Sequence, residues 1–237
     1  MESGVKFREK LNFDERIFFL ELMPTLAGEN LVFYDIGAHI GTVSSCVLKV
    51  PSVAHVYAFE PLSSVFNILQ ERLKKYPHVS CFNIALGSEN AEAEIFVNYC
   101  LPSSSMYKML PAHKEEFPQS EESIPEKINV VSLDDFVDEK RLKPPDVIKI
   151  DVQGSENQVL SGGADTIQKS KYCVIEMSLV TLYENCPLFN DIYKLMDSLG
   201  FKLIGFAGEV HGESGRQLQV DGIFENIRIK TGFDSVE

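Results

Sequence analysis

Residues 31–41 read LVFYDIGAHIG, and this stretch decides the fold. Its first six residues are mostly apolar, as in a buried strand, and Gly37 follows them directly. Apolar residues then recur at helical spacing from Ile40 to Val47. The stretch therefore predicts a strand, a tight turn at Gly37, and a helix that Gly41 allows to pack closely against the strand.

The turn itself has the pattern D-x-G-x-x-x-G, which runs from Asp35 through Gly37 and His39 to Gly41. The dinucleotide-binding pattern G-x-G-x-x-G has a middle glycine where the backbone approaches a pyrophosphate, and that glycine is missing here. The pattern therefore favours a smaller zwitterionic ligand such as S-adenosylmethionine. A strand–turn–helix junction without any ligand also needs glycine, so the turn alone leaves both interpretations open.

Short apolar runs alternate with helical patterns along the chain, which is typical of βα units and a mainly parallel sheet. A leading helix is predicted at residues 13–26, and capping-box patterns start at Ser132 and Ser155. Seven strands are predicted, at residues 31–36, 55–59, 79–84, 147–150, 172–177, 201–206 and 220–227. The predicted fold is α/β, with a Rossmann-like, seven-stranded, mostly parallel sheet and helices on both faces.

Two segments depart from this alternation. Residues 1–30 are predicted to form a helical N-terminal extension, and residues 31–237 form the main domain. Within that domain, a short hairpin is predicted around residues 94–99. Residues 100–128 after it contain four prolines, a serine run and several glutamates, which predicts an irregular insertion. The insertion is either a solvated loop or a lid on the substrate side, since binding residues often lie on loops held by a rigid scaffold.

The formal net charge of −13 argues against partners with phosphate backbones and against anionic lipid surfaces. Residues 1–16 are charged and contain no long apolar run, so neither a signal peptide nor a membrane span is predicted. The five cysteines form no C-x-x-C pair, which is typical of reduced thiols. We therefore expect a cytoplasmic protein without nucleic-acid or membrane partners, and self-association stays open.

Polar residues at two further strand ends are candidates for cofactor binding. Glu60 ends the second predicted strand and precedes Pro61, and a carboxylate at that place can accept hydrogen bonds from both ribose hydroxyls. Asn83 and Ala85 lie at the end of the third predicted strand, in a turn that borders the adenine in this kind of fold. A solvated carboxylate and a plain strand exit are the alternative interpretations.

Residues 148–156, IKIDVQGSE, include the end of a strand that should be central. Lys149 there needs a carboxylate partner, because an unpaired buried ammonium is costly. Asp151 and Glu176 could supply it in an ion pair that only fixes the strand ends. Alternatively, both carboxylates face the cleft at the carboxyl ends of neighbouring strands, where ligands bind in open α/β sheets. We predict that both are catalytic and that Asp151 also contacts the cofactor.

Taken together, these motifs resemble the FkbM-type methyltransferase family. The matching segments are YDIGAHIG at 34–41, FEP at 59–61, NIALG at 83–87, SSSM at 103–106, VSLDDF at 131–136, IKIDVQGSE at 148–156 and VIEM at 174–177. The resemblance covers residues 31–205. It implies the class I methyltransferase fold, S-adenosyl-L-methionine as methyl donor, and a small-molecule acceptor whose hydroxyl is methylated, on a sugar or a secondary metabolite. His39 and Gln153 stand where family members more often carry Asn and Glu.

Methylation of an alcohol benefits from a base that takes the hydroxyl proton. The candidates are Asp151, Glu176, His39 and His113, and Asp151 is preferred. A nicotinamide-dependent oxidoreductase and a non-catalytic cofactor-binding subunit of the same fold are the alternative functions. Asp151, Glu176 and Asp221 could also converge on a magnesium or calcium ion, but the sequence has no compact ligand motif, and we predict no metal site.

Overall fold

The computed structural model describes residues 17–97, 110 and 124–229 of the chain. The strands are β1 (Leu31–Ile36), β2 (Val53–Phe59), β3 (Val79–Phe82), β4 (Ala85–Gly87), β5 (Ala91–Val97), β6 (Ile124–Ser132), β7 (Val147–Ile150), β8 (Tyr172–Ser178), β9 (Phe201–His211) and β10 (Gln217–Asn226). The α-helices are α1 (Met23–Ala27), α2 (Thr42–Val47), α3 (Ser63–Leu73), α4 (Leu133–Lys140), α5 (Glu156–Gly162), α6 (Ala164–Ile167) and α7 (Phe189–Ser198). A π-helical turn, Ile17–Leu22, precedes α1.

The main sheet has seven strands in the order β3-β2-β1-β7-β8-β10-β9. The strands from β3 to β8 in this order are parallel to their neighbours, whereas β10 is antiparallel to both β8 and β9. All seven predicted strands lie in this sheet, so the predicted fold class is confirmed. The strand order reverses between β1 and β7, and ligands of open α/β sheets bind beside the carboxyl ends of such strands.

The core has two halves, one on each face of the sheet. β1 is buried along its whole length, and its successive side chains point to opposite faces. Phe33 lies in the half that the π-helical turn, α2 and α3 cover. Tyr34 lies in the half that α4, α5 and α7 cover. Helices therefore cover both faces, as predicted, and the two layers hold the ends of β1 and β7 in fixed positions.

The described part of the N-terminal extension is helical and belongs to the core. Phe19 is fully buried, and its ring lies edge-on to that of Phe33, with 5.7 Å between the centroids. Residues 1–16 lie outside the described residues. No helix in the described parts of the chain is long and apolar enough to cross a membrane.

A second sheet, with the strand order β4-β6-β5, was not predicted beyond the short hairpin expected around residues 94–99. β5 pairs antiparallel with β6, which begins at Ile124. The prediction of irregular structure is therefore wrong for residues 124–128, which belong to β6. The rest of the predicted insertion lies outside the described residues except for Leu110, whose N–H donates to the carbonyl oxygen of Leu182 at 3.0 Å. The lid stays a prediction.

The second sheet contacts the main domain at the end of α5. A Cβ atom on Gly162 would lie 2.0 Å from the carbonyl oxygen of Gly87, so helix and strand touch through their backbones. Ser132, the last residue of β6, donates its hydroxyl hydrogen to the carbonyl oxygen of Gly162 at 2.8 Å. The same hydroxyl accepts from the N–H of Asp135 and caps α4, as its sequence pattern predicts.

Candidate active site

The glycine turn after β1 lies directly against the loop after β7. Gly37 has a φ of +79°, and a Cβ atom there would lie 1.8 Å from the carbonyl oxygen of Asp151. The N–H of Asp151 in turn donates to the carbonyl oxygen of Ile36 at 3.0 Å. Only glycine permits this approach, so the predicted cofactor turn and the predicted catalytic loop are neighbours.

Asp35 is buried beneath this turn and is 1% exposed. Its Oδ2 accepts hydrogen bonds from Ser44, at 3.1 Å from the backbone N–H and 2.5 Å from the hydroxyl. Burial raises the pKa of Asp35, while Lys149 and the Ser44 hydroxyl oppose that shift. Asp35 thus ties β1 to α2 and holds both ends of the turn. Gly41, also with a φ of +79°, packs its backbone against Leu69 of α3.

Glu60, at the end of β2, connects the glycine turn to the neighbouring loop. One carboxylate oxygen accepts from the N–H of His39 and the other from the N–H of Leu62, each at 3.0 Å. Glu60 is buried, and this burial raises its pKa to about 7, although the two N–H donors favour the charged form. A carboxylate has about four acceptor positions, so these two bonds leave acceptor capacity for the two ribose hydroxyls of a nucleoside.

Asn83 supports Glu60 from behind. Its side-chain amide donates to the carbonyl oxygens of Glu60, at 2.9 Å, and Pro61, at 2.8 Å. Ala85 is buried in β4 and lies in a small apolar cluster with Leu62. The structure thus gathers Glu60, Pro61 and Asn83 around one turn, while contact of Asn83 and Ala85 with an adenine stays a prediction.

Lys149 and Asp151 form the ion pair that the sequence requires. Lys149 is 3% exposed, and its Nζ lies 2.8 Å from Oδ2 of Asp151. Burial alone would lower the pKa of Lys149, but the carboxylates of Asp151, Asp221 and Asp35 outweigh burial and raise it. The Asp151 side chain is 28% exposed. Lys149 is therefore enclosed by protein, whereas Asp151 is partly accessible to solvent.

Gln153 joins Asp151 to Glu176, its neighbour at the end of β8. Its amide nitrogen lies 2.8 Å from Oδ1 of Asp151 and 3.1 Å from Oε2 of Glu176. Gln219 of β10 donates to the same Glu176 oxygen at 2.6 Å, and the Tyr183 hydroxyl donates to Oε1 of Gln153 at 3.0 Å. Sequence reasoning missed Gln219 and Tyr183, because neither residue lies in a recognisable motif.

Glu176 differs from Asp151 in its surroundings. It is 7% exposed, and burial, followed by the charges of Asp151, Glu156 and Asp221, raises its pKa well above the usual value. The two predicted catalytic carboxylates are therefore close together but unlike, with Asp151 the more accessible and Glu176 the one that favours its protonated form.

The loop between Asp151 and α5 is fixed by Glu156. Oε1 of this buried side chain accepts from the N–H groups of Val152 and Gly154, each at 3.1 Å. Burial raises the pKa of Glu156 to about 7. The predicted Ser155 capping bond is absent, because the hydroxyl of Ser155 is buried without a hydrogen-bond partner. The first residue of α5, rather than its cap, therefore orders this loop.

His39 lies in the glycine turn, where its N–H donates to Oε2 of Glu60. His113 lies outside the described residues. No group of three or more His, Cys, Asp and Glu side chains within residues 17–97 and 124–229 is arranged to hold a metal ion.

Comparison with known proteins identifies the family. The family model "Methyltransferase FkbM domain" matches residues 35–203. The chain is 25% identical over 205 residues to the 2-O-methyltransferase NoeI of Sinorhizobium fredii, covering 81% of this chain and 82% of the relative. It is 26% identical over 159 residues to the hexuronic acid methyltransferase AglP of Haloferax volcanii, covering 67% of this chain and 60% of that one.

A solved structure supports the fold. The crystal structure of methyltransferase FkbM from Methylobacillus flagellatus superposes with a TM-score of 0.51 at 18% identity. The superposition covers 83% of this chain but only 43% of the other, so the chain spans less than half the length of that protein. Because the family model covers most of the chain, this protein belongs to the FkbM methyltransferase family and is an S-adenosylmethionine-dependent enzyme.

Proposed function

We propose that the protein methylates a hydroxyl oxygen of a sugar or a secondary metabolite and that Asp151 is the base. The observation that carries this proposal is the position of Asp151, whose backbone lies against the glycine turn at the point where the strand order reverses and whose carboxylate is partly exposed. The names of the two relatives, a 2-O-methyltransferase and a hexuronic acid methyltransferase, support a sugar acceptor.

The residues of the glycine turn and of β2 fit the cofactor. S-Adenosylmethionine supplies a methyl group that its sulfonium already activates. Glu60 would accept the ribose hydroxyls, and Asn83 would keep the Glu60–Pro61 turn in place beside the adenine. Gly37 and Gly41 keep the backbone of the turn close to its neighbours, and Asp35 holds the turn from below. His39 and Asp151 complete the predicted cofactor-binding set.

Asp151 would take the proton of the acceptor hydroxyl while that oxygen bonds to the methyl carbon. The bond between the methyl carbon and sulfur would break in the same displacement, with its electron pair left on the sulfur. Lys149 holds the Asp151 carboxylate in place through the 2.8 Å ion pair. Glu176 is less suited to this role, since its raised pKa favours the protonated form. Glu176 would instead shape the site through its hydrogen bonds with Gln153 and Gln219.

The test follows the transfer of labelled methyl groups from S-adenosylmethionine to a panel of sugars and glycosides. Asp151→Asn should lower turnover by about 10²–10⁴-fold through loss of the base. Any accompanying loss of affinity for S-adenosylhomocysteine reports the predicted contact of Asp151 with the cofactor. Asp197→Asn, on an exposed position of α7, is the matched control and should keep full turnover. Unchanged turnover in Asp151→Asn would remove Asp151 as the base, and transfer to nitrogen or carbon acceptors only would overturn O-methylation.

We also propose a cytoplasmic location. Its support is that Cys46, Cys81, Cys173 and Cys186 are free thiols rather than disulfides. Fractionation of cells followed by immunodetection is the direct measurement.

A further inference from the structure

Gln153 has a fixed orientation between the two carboxylates. A glutamine amide carries two N–H hydrogens on one side and an acceptor oxygen on the other. A carboxylate accepts hydrogen bonds and cannot donate them, so the oxygen of Gln153 is turned away from Asp151 and towards the hydroxyl of Tyr183. This hydroxyl is 1% exposed and donates to the oxygen. The nitrogen consequently faces Asp151 and Glu176, to each of which it can donate one hydrogen.

The backbone of Gln153 is unusual and points to the same conclusion. Gln153 has a φ of +54°, in the left-handed region that residues other than glycine rarely adopt, and Gly154 follows with a φ of +102°. The buried Glu156 enforces this turn through its bonds to the flanking N–H groups. Strained residues of this kind persist only when the surrounding structure holds them, and they occur frequently at functional sites. Here the turn brings the side chain back over Asp151.

The charges around Gln153 explain why an amide suits this position. The ionisable groups that surround the bridge are Asp151, Glu156, Glu176, Asp221, Tyr183 and Lys149. Four of the six are carboxyl groups and only one is a cation. An amide donates one hydrogen bond to Asp151 and one to Glu176 at any pH. A carboxyl group, which family members more often carry here, could donate to only one of the two, and only while it holds a proton.

We propose that Gln153 is a positioning residue whose uncharged amide joins Asp151 to Glu176 and holds Asp151 towards the acceptor. The part that concerns the acceptor rests on the proposed role of Asp151 as the base. The bridge between the two carboxylates is independent of that role and is tested separately.

The first experiment replaces the amide with a carboxylate. Gln153→Glu places a third carboxyl group between Asp151 and Glu176, so the folded variant must hold an additional proton as the pH rises. The melting temperature should be near that of the wild type at pH 5, and the deficit should grow by about 3–5 °C at pH 8. Gln70→Glu, on an exposed position of α3, adds the same charge and should show a deficit that does not change with pH.

The second experiment removes the donor while keeping the length of the side chain. In Gln153→Met, the carboxyl carbon of Glu176, followed by ¹³C NMR, should titrate at a higher pH than in the wild type, because one donor to the charged form is lost. Once an acceptor is known, the variant should lower kcat without changing the Kd for S-adenosylhomocysteine. Gln70→Met should change neither quantity.

These measurements separate the two proposals. A pH-independent deficit in Gln153→Glu together with an unchanged Glu176 titration in Gln153→Met would overturn the bridge. If the bridge is confirmed but Asp151→Asn retains full turnover, only the role of Asp151 as the base is wrong. Wild-type protein that does not bind S-adenosylhomocysteine would contradict the cofactor assignment and leave the Glu176 titration as a valid test of the bridge.

Discussion

Glu60 is the residue on which cofactor affinity should depend most directly. Its carboxylate is already oriented by the N–H groups of His39 and Leu62, so a bound ribose gains hydrogen bonds without reordering the side chain. Glu60→Ala should weaken S-adenosylhomocysteine by roughly 10–100-fold, if about 1.4–2.8 kcal/mol of ribose bonding is lost. Isothermal titration calorimetry measures the change.

Glu71→Ala is the matched control for this substitution. Glu71 is a largely exposed glutamate of α3 that pairs with Lys74, so its removal should leave the affinity unchanged. Equal affinities of the wild type and Glu60→Ala for S-adenosylhomocysteine would show that Glu60 does not bind the ribose. A parallel titration with NAD should give no binding, since the turn lacks the middle glycine of dinucleotide-binding sites.

Glu156 gives a prediction about pH. Its pKa is about 7 in the folded protein against an ordinary value of 4.5, so the folded state binds the proton more tightly than the unfolded state. The stability that this group contributes is therefore complete below about pH 4.5 and is lost as the pH rises towards 7. Glu156→Gln keeps an oxygen for the N–H groups of Val152 and Gly154 but does not titrate.

The variant should consequently gain stability relative to the wild type between pH 5 and pH 8. Urea denaturation of both proteins at several pH values measures the difference. A constant difference over this range would show that Glu156 does not change its protonation state on folding.

At the scale of the elements, a comparison of Gly37 with Gly215 separates the cost of a steric collision from the cost of backbone strain. Gly37 and Gly215 have the same φ of +79°, but a Cβ atom on Gly215 would meet nothing within 4 Å. Gly215→Ala should therefore cost about 1–2 kcal/mol, the ordinary penalty for an L-residue in this conformation. Gly37→Ala adds a collision with the backbone of Asp151, so it should cost several kcal/mol and abolish binding of S-adenosylhomocysteine. Chemical denaturation and calorimetry measure both effects, and equal costs would show that the two loops can separate freely.

Much of the main sheet could be predicted from the sequence, because its strands are short apolar runs with clear turns. The second sheet could not. Residues 124–128 contain Pro125 and Glu126, and they form a strand only because β5, far away in the chain, supplies the hydrogen-bonding partner. Long-range pairing of this kind leaves no local pattern.

The candidate site shows the same division. Asp35, Glu60 and Asp151 follow apolar strands and could be found from the motifs alone. Gln219 is brought to Glu176 by the antiparallel pairing of β10 with β8, and a shift of one residue in that register would turn it to the other face. Tyr183 reaches Gln153 from a loop after β8, which no periodic pattern describes.

For the whole molecule, charge should dominate the response to pH. The chain has a formal net charge of −13, and burial raises the pKa values of Glu60, Glu156 and Glu176. Protonation of these groups favours the folded state, so stability should fall as the pH rises through their raised pKa values. The melting temperature should be higher at pH 6 than at pH 8, and added salt should reduce the repulsion at pH 8. Scanning calorimetry measures this change. A melting temperature that stays constant or rises from pH 6 to pH 8 would contradict the raised pKa values of these three glutamates.

The backbone contact between Gly87 and Gly162 has a consequence for engineering. Here α5 and β4 touch through their backbones, and no side chains between them can repack to accept a different neighbour. A segment transplanted from another protein must therefore reproduce this backbone contact, which we call the seam. Chimeras that exchange residues 88–131 with those of another family member would keep this seam intact, together with the Ser132 hydroxyl that closes it. Crossovers placed inside α5 would break it. The natural boundary for transplanting the β5–β6 part of the second sheet thus lies at Gly87 and Ser132, and β4 stays with the main domain.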